Sequence, residues 1–266
     1  MAVELVLAER RAQGLWITLN RPERKNALCA TMTTRLAGIF EELPGDQDAK
    51  YLVIAAQGPD FCSGGDLGAF SEILAMSGEQ RSAGAALSFR KHSHRLFTAM
   101  DRVPQPVITV ARGHAIGAGA QLILASDFVI ASNTLKLAVP QARLAHTADH
   151  GESYYLPRKA AMLRAMEVLM LGDVVSAEHA LRMNVVNWVV ADADLEARAA
   201  ELAQRLATGA TYAIRQTKAL VKQSLDNTLE DQLNAEGEAF ARCAGTPDFT
   251  EAILALSQKR PAKFSD

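Results

Sequence analysis

The chain has 266 residues, of which 49% are hydrophobic and 22% charged, with a formal net charge of -2. That length fits one large domain, or a medium domain with a small appendage. The balanced charge gives no electrostatic reason to expect nucleic acid or an anionic membrane as partner, though it leaves room for a local basic pocket.

The run Met1 to Ala8 is too short for a secretory signal, carries Glu4 and is followed by Glu9-Arg10-Arg11, so no targeting segment is expected. Val3–Leu7 and Trp16–Leu19 read as two strands of a hairpin around Gln13-Gly14. Asn20-Arg21-Pro22 is a loop, and a helix is expected from Ala30 to Leu43, stopping at Pro44-Gly45. Tyr51–Ala56 is a short apolar run bounded by Gly58-Pro59, the pattern of a buried parallel strand. Residues 79–101 look helical up to Pro104 and Pro106. The design then repeats: a strand at Val107–Ala111, a loop at Arg112–Gly117, a helix at Ala118–Ala125 and a strand at Phe128–Ala131. From about 153 onward helices dominate, with periodic segments at Ala161–Leu171, Leu195–Ala207 and Ala213–Leu225. An α/β core over 1–194 is therefore expected, with a helical region over 195–266 whose apolar faces pack against another subunit.

No stretch reaches the ~18 apolar residues of a transmembrane helix. Cys29, Cys62 and Cys243 are far apart and never spaced as CxxC, which argues against a disulfide framework or zinc site and fits a reducing, cytoplasmic setting. The six histidines contain no HExxH, and no metal is expected.

Two strand-to-helix loops carry the chemistry. The first runs from Gly58 through Phe61-Cys62-Ser63-Gly64-Gly65-Asp66-Leu67, the second from Gly113 to Gln121. Glycines at such turns admit a ligand to backbone N–H groups, and a helix N-terminus adds free donors. Two converging donors would form an oxyanion hole, each contributing ~3–4 kcal/mol to a transition state. Either segment alone reads equally well as a tight turn. Gly117 and Gly119 make a GxG, but Leu122 stands where a dinucleotide fingerprint needs its third glycine, and there is no GxxxxGK[ST] or GxSxG.

Together, FCSGGDL and GHAIGAGAQLILASD, about fifty residues apart, closely resemble the paired signatures of the crotonase (enoyl-CoA hydratase/isomerase) family. LNRPERKNAL near the start, the segment Asn184–Val190 and the ending Ser257–Phe264 extend the resemblance over nearly the whole chain. The resemblance implies an α/β spiral of ββα units with a helical C-terminal trimerisation region, assembled as a trimer or a dimer of trimers. It also implies an acyl-CoA substrate, with coenzyme A part of the substrate rather than a separate cofactor. By motif position the oxyanion donors are the backbone N–H groups of Gly65 and Ala118, beside Gly117. Backbone atoms from Ser63 through Gly64, Asp66 and Leu67 would contact the coenzyme, Lys25 its phosphates, and Lys263 and Phe264 the coenzyme of a neighbouring subunit.

The chain departs from the family where a hydratase carries two glutamates to activate water: Gln121 and Gln141 stand there. A carboxamide can hold water but accepts no proton at neutral pH, so efficient hydration is not expected. Asp149, in a stretch resembling the family's LGLxPDxGGSxxLPR, falls on the aspartate that isomerase-like and dehalogenase-like members use. A proton-shuttling Asp149 facing an oxyanion hole makes double-bond isomerisation the leading expectation. The alternative for Asp149 is a helix N-cap for the segment starting near Ser153. His146, His150 and Glu152 replace smaller residues and are open as extra acid/base or pocket-filling groups. Cys62 and Ser63 have no base partner visible in the sequence and read as packing residues. Rival functions are a thioester hydrolase, a C–C bond-cleaving member, or a catalytically silent CoA-binding protein.

Overall fold

The computed structural model describes residues 3–66, 68 and 74–265. Strand β1 (Val6–Arg11) pairs antiparallel with β2 (Gly14–Leu19), which pairs in parallel with β3 (Tyr51–Ala56). The first strand thus extends beyond Leu7 and takes in Glu9-Arg10-Arg11. Its burial falls away along its length, as a charged edge strand allows. Beyond β3 the sheet continues in parallel with β4 (Val107–Ala111), β6 (Phe128–Ser132) and β9 (Trp188–Val190), in the order β1-β2-β3-β4-β6-β9. A second, three-stranded sheet joins β5 (His114–Ile116), β7 (Lys136–Ala138) and β8 (Val175–Ser176). The loop expected at Arg112–Gly117 therefore contains a short strand.

Helix α1 (Ala30–Glu42) buries Met32, Leu36, Ile39 and Phe40, a spacing of one apolar face, against the sheet. Helix α2 (Gly78–Phe89) passes through a π-helical turn (Arg90–His94) into α3 (Arg95–Asp101). Helix α4 (Ala118–Leu124) is buried along its whole length, and α5 (Glu152–Leu171) changes direction at Ala161, whose φ of 63° and ψ of 160° are not helical. A short α6 (Ala177–Arg182) precedes β9. Helix α7 (Leu195–Ala207) lays Leu195, Ala199, Leu202 and Leu206 under the second face of the sheet, against Tyr51, Val53, Ile108 and Ile130. Helices α8 (Thr211–Gln223), α9 (Leu229–Ala244) and α10 (Pro247–Ser257) follow. They leave Leu229, Leu233, Phe240, Ile253, Leu254 and Leu256 exposed.

Parallel β3 and β4 both end on the same edge of the sheet, and the loops that leave them meet there. Cys62 bridges Ala115, with Cys62 N–H donating to His114 O and Ile116 N–H to Cys62 O. That bridge sets the two glycine-bearing loops side by side. Among the described residues no helix is long and apolar enough to cross a membrane.

Candidate active site

Gly64 and Gly117 shape the junction of the two loops. Gly64 has φ of +100°, and a β-carbon there would lie 2.9 Å from Ile116 O and 4.0 Å from Ala118 N. Gly117, at φ 52° and ψ -115°, turns the chain from β5 into α4 while its own N–H donates to Ala138 O. Only glycine enters that backbone region without strain. Ala118 is the first residue of α4, so its amide has no acceptor within the helix. Gly65 is held by a bridge to Leu28 that uses Gly64 O and the Asp66 amide and leaves the Gly65 amide aside. Among the described residues, neither the Gly65 nor the Ala118 N–H donates to any acceptor.

The residues expected to meet the coenzyme group around the first loop. Lys25 adopts left-handed backbone (φ 50°), its carbonyl accepts from Ser63 N–H, and its ammonium stands 3.9 Å from Asp60 on the surface. Asp66 pairs with Arg21 and accepts from Gly68 N–H at 2.9 Å; these two partners hold its carboxyl below the usual carboxylate range. Leu67 lies outside the described residues. Burial opposes ionisation of Asp60, yet hydrogen bonds from the His114 amide (3.0 Å) and imidazole (2.6 Å) prevail, and its carboxyl titrates below its ordinary value. Cys62 is wholly buried, which pushes its thiol up to about 12 and makes it a packing residue rather than a nucleophile.

Asn26 had no role in the sequence reading, yet it organises this loop. Fully buried, it donates to Gln57 O and Asp60 O and accepts from Arg21 N–H, all at 2.8–2.9 Å. The available signal was an asparagine next to a tight turn, where left-handed backbone (here φ 54°) favours that residue.

Several of the remaining candidate residues converge on the amide of Gln141. Its Nε2 donates to Glu152 Oε1 at 2.8 Å, lies 3.3 Å from Asp149 Oδ1, and would stand 3.7 Å from a β-carbon on Gly117. Gln121 occupies the buried face of α4, its Nε2 3.0 Å from where a Gly151 β-carbon would be. Asp149 is one-third exposed and has His150 Nε2 at 3.5 Å from one oxygen and His146 Nδ1 at 3.8 Å from the other. It is not the cap of α5: Gly151 holds that position, with no side-chain cap bond.

Glu152, open in the sequence reading, proves to be a fully buried carboxylate that accepts from Gln141 Nε2, Asp149 N–H (3.2 Å) and His150 N–H (2.8 Å). An acidic residue in a helix's first turn usually serves the dipole at the surface, so its burial had no signature in the sequence. Asp149, His150 and Glu152 bring three potential ligand atoms within 4.8 Å of one another. The three hydrogen bonds to Glu152 direct its lone pairs at N–H donors, a poor arrangement for a cation. The C-terminal tail folds on its own helix, with Lys263 N–H donating to Glu251 and Ser265 N–H to Asp248.

A family model described as enoyl-CoA hydratase/isomerase matches residues 9–266. The 1,2-epoxyphenylacetyl-CoA isomerase of Escherichia coli K12 is 32% identical, and the match covers 99% of each chain. The crotonyl-CoA hydratase of Syntrophomonas wolfei is 28% identical, again with 99% of each chain covered. Among solved structures, an enoyl-CoA hydratase/isomerase family protein from Mycobacterium abscessus superposes with a TM-score of 0.92 at 30% identity, covering 98% of this chain and 99% of that one. The chain belongs to the enoyl-CoA hydratase/isomerase, or crotonase, superfamily, whose members act on acyl-CoA thioesters.

Proposed function

We propose that this enzyme isomerises an acyl-CoA thioester, moving a proton along the acyl group through an enolate, with Asp149 as the acid/base. The observation that carries this reading is a carboxylate, neither a helix cap nor locked in an ion pair with Lys or Arg, that accepts from Gln141 Nε2 at 3.3 Å, the same nitrogen that would stand 3.7 Å from a β-carbon on Gly117 in the turn leading to the Ala118 amide. The Gly65 and Ala118 N–H groups bind the thioester oxygen and stabilise the negative charge that develops on it. Asp149 removes a proton from the carbon next to the thioester, or from the carbon two further on, and returns it elsewhere. Gln121 and Gln141, lacking a titratable oxygen, line the pocket and cannot activate water as a base. Lys25, Ser63, Gly64, Asp66 and Leu67 flank the coenzyme, and Gly117 sets the turn that aims the Ala118 amide.

The test is turnover of a 3-enoyl-CoA to its conjugated 2-enoyl isomer, followed by the absorbance of the conjugated thioester, with free thiol assayed in parallel. Isomerisation without thiol release, lost in Asp149→Asn, is the expected result. Release of free coenzyme A as the main product would favour the hydrolase reading and refute this one.

A further inference from the structure

A cavity of about 640 Å³ opens between the first half of α5, helix α8 and the start of β6. Small-molecule sites span roughly 300–1,000 Å³, so it is large enough to hold a ligand. It lies away from the candidate active site. Ala118 and Leu124 are the two ends of α4, about 9 Å apart along its axis, and the cavity wall begins at Leu124. Leu124, Phe128, Leu206, Ile214, Val221 and Leu225 give that wall its apolar character.

The same wall carries Arg158, Lys159, Lys218 and Lys222 against Asp101 and Asp127. Lys218 pairs with Asp127 at 2.5 Å and Lys222 with Asp101 at 2.6 Å, and the two pairs hold α8 over the core. One chain therefore forms the cavity by itself. Arg158 lies over the Tyr154 ring and 3.5 Å from Asp226. Lys159 is the exception. Its Nζ donates to Ser126 O at 2.7 Å, and among the described residues it makes no ion pair with a carboxylate. An ammonium has three protons, so two are left for a ligand. Burial lowers this group to about 8 while the nearby Asp127 opposes the shift, and at pH 7 it is still mostly charged.

A cation without a counter-charge beside apolar walls is unfavourable, and a singly charged anion relieves it. A dianion such as phosphate would bring a second charge that nothing there neutralises. The apolar wall, in turn, is covered best by a hydrocarbon body on the same molecule. We propose that this cavity is a second ligand site, distinct from the acyl-CoA site, which takes an aliphatic monocarboxylate with its carboxylate on Lys159 Nζ and its chain against Leu124, Phe128, Ile214 and Val221.

The experiment is calorimetric binding of octanoate, 1-octanol and acetate at pH 7 to wild type, Lys159→Met and Ala213→Phe, with circular dichroism to establish folding. Octanoate binding to wild type is measured again with butanoyl-CoA in excess. The wild type is expected to bind octanoate about tenfold tighter than either 1-octanol, which lacks the charge, or acetate, which lacks the chain. Lys159→Met should bring octanoate level with 1-octanol. Ala213→Phe, which fills the cavity, should lose both, and butanoyl-CoA should leave octanoate binding unchanged. A wild type that binds acid and alcohol alike, or a preference kept in Lys159→Met, overturns the role given to Lys159. Octanoate displaced by butanoyl-CoA, or bound as well by Ala213→Phe, lies elsewhere and overturns the site. A wild type that binds no octanoate overturns it too and leaves the cavity to a second copy of the chain.

Discussion

Gly117→Ala separates the shape of the oxyanion turn from its bulk. A β-carbon at 117 would meet nothing closer than Gln141 Nε2 at 3.7 Å, an ordinary contact, so the substitution carries no steric penalty. Its cost lies in the backbone, because φ 52° with ψ -115° is a region an L-residue enters only with strain. Holding that conformation costs roughly 1–3 kcal/mol. For a chain of this length, that lowers the thermal midpoint by ~2–4 °C per kcal/mol. The chain can relieve the strain by rotating the peptide between Gly117 and Ala118. That plane carries the Ala118 N–H, so relief is bought with the donor. Loss of one oxyanion donor lowers kcat by about a hundred- to a thousandfold. Thermal denaturation and steady-state kinetics on a 3-enoyl-CoA check both effects, and the fall should appear in kcat rather than KM. A variant whose midpoint drops while kcat stays at the wild-type value would refute the role of the Ala118 amide.

Other outcomes follow from the packing and the buried charges. Burial lowers the Lys159 ammonium to about 8, although Lys159 Nζ still donates to Ser126 O. Between that value and 10.5 the unfolded chain binds the extra proton, so stability rises with pH through this window, by about 3 kcal/mol. The stability difference between Lys159→Met and wild type should therefore change by that order from pH 7 to 10.5, as read by urea unfolding; a constant difference would contradict it. Cys62, its thiol raised to about 12, should escape alkylation at pH 8 while half-buried Cys29 and Cys243 react, as peptide mass analysis would show. Leu163, Met166 and Met170 on α5 and Leu229, Leu233 and Phe240 on α9 leave large apolar faces uncovered. Sedimentation should give three or six times the 28.6 kDa chain mass, and a monomer would contradict the assignment of those faces to self-association.

Elements were legible in the sequence where a pattern had length enough to repeat. The buried strand Tyr51–Ala56 and the helices Ala30–Glu42 and Leu195–Ala207 lie where apolar runs and spacing place them. Lys136–Ala138, Val175–Ser176 and Trp188–Val190 are two or three residues long, too short for alternation to register, and they exist because neighbouring strands pair with them. The helix from Glu152 shows its periodic second half from Ala161 because the axis bends there. In the site, the two loops that meet were readable because glycines mark their turns. Glu152 was not, since nothing local distinguishes a buried carboxylate from one at the surface; only the meeting of Gln141 with the 149–152 turn reveals it.

The central claim is that Asp149 moves a proton on the carbon beside a thioester whose oxygen is held by two backbone amides. Exchange of the acyl α-protons of a bound thioester with deuterium, followed by proton NMR in deuterated buffer, measures that step without requiring a finished product. The wild type should exchange them, and Asp149→Asn should do so about a hundred- to ten-thousandfold more slowly while still binding the thioester. Exchange at the wild-type rate in Asp149→Asn, or no exchange in a wild type saturated with thioester, would contradict the account.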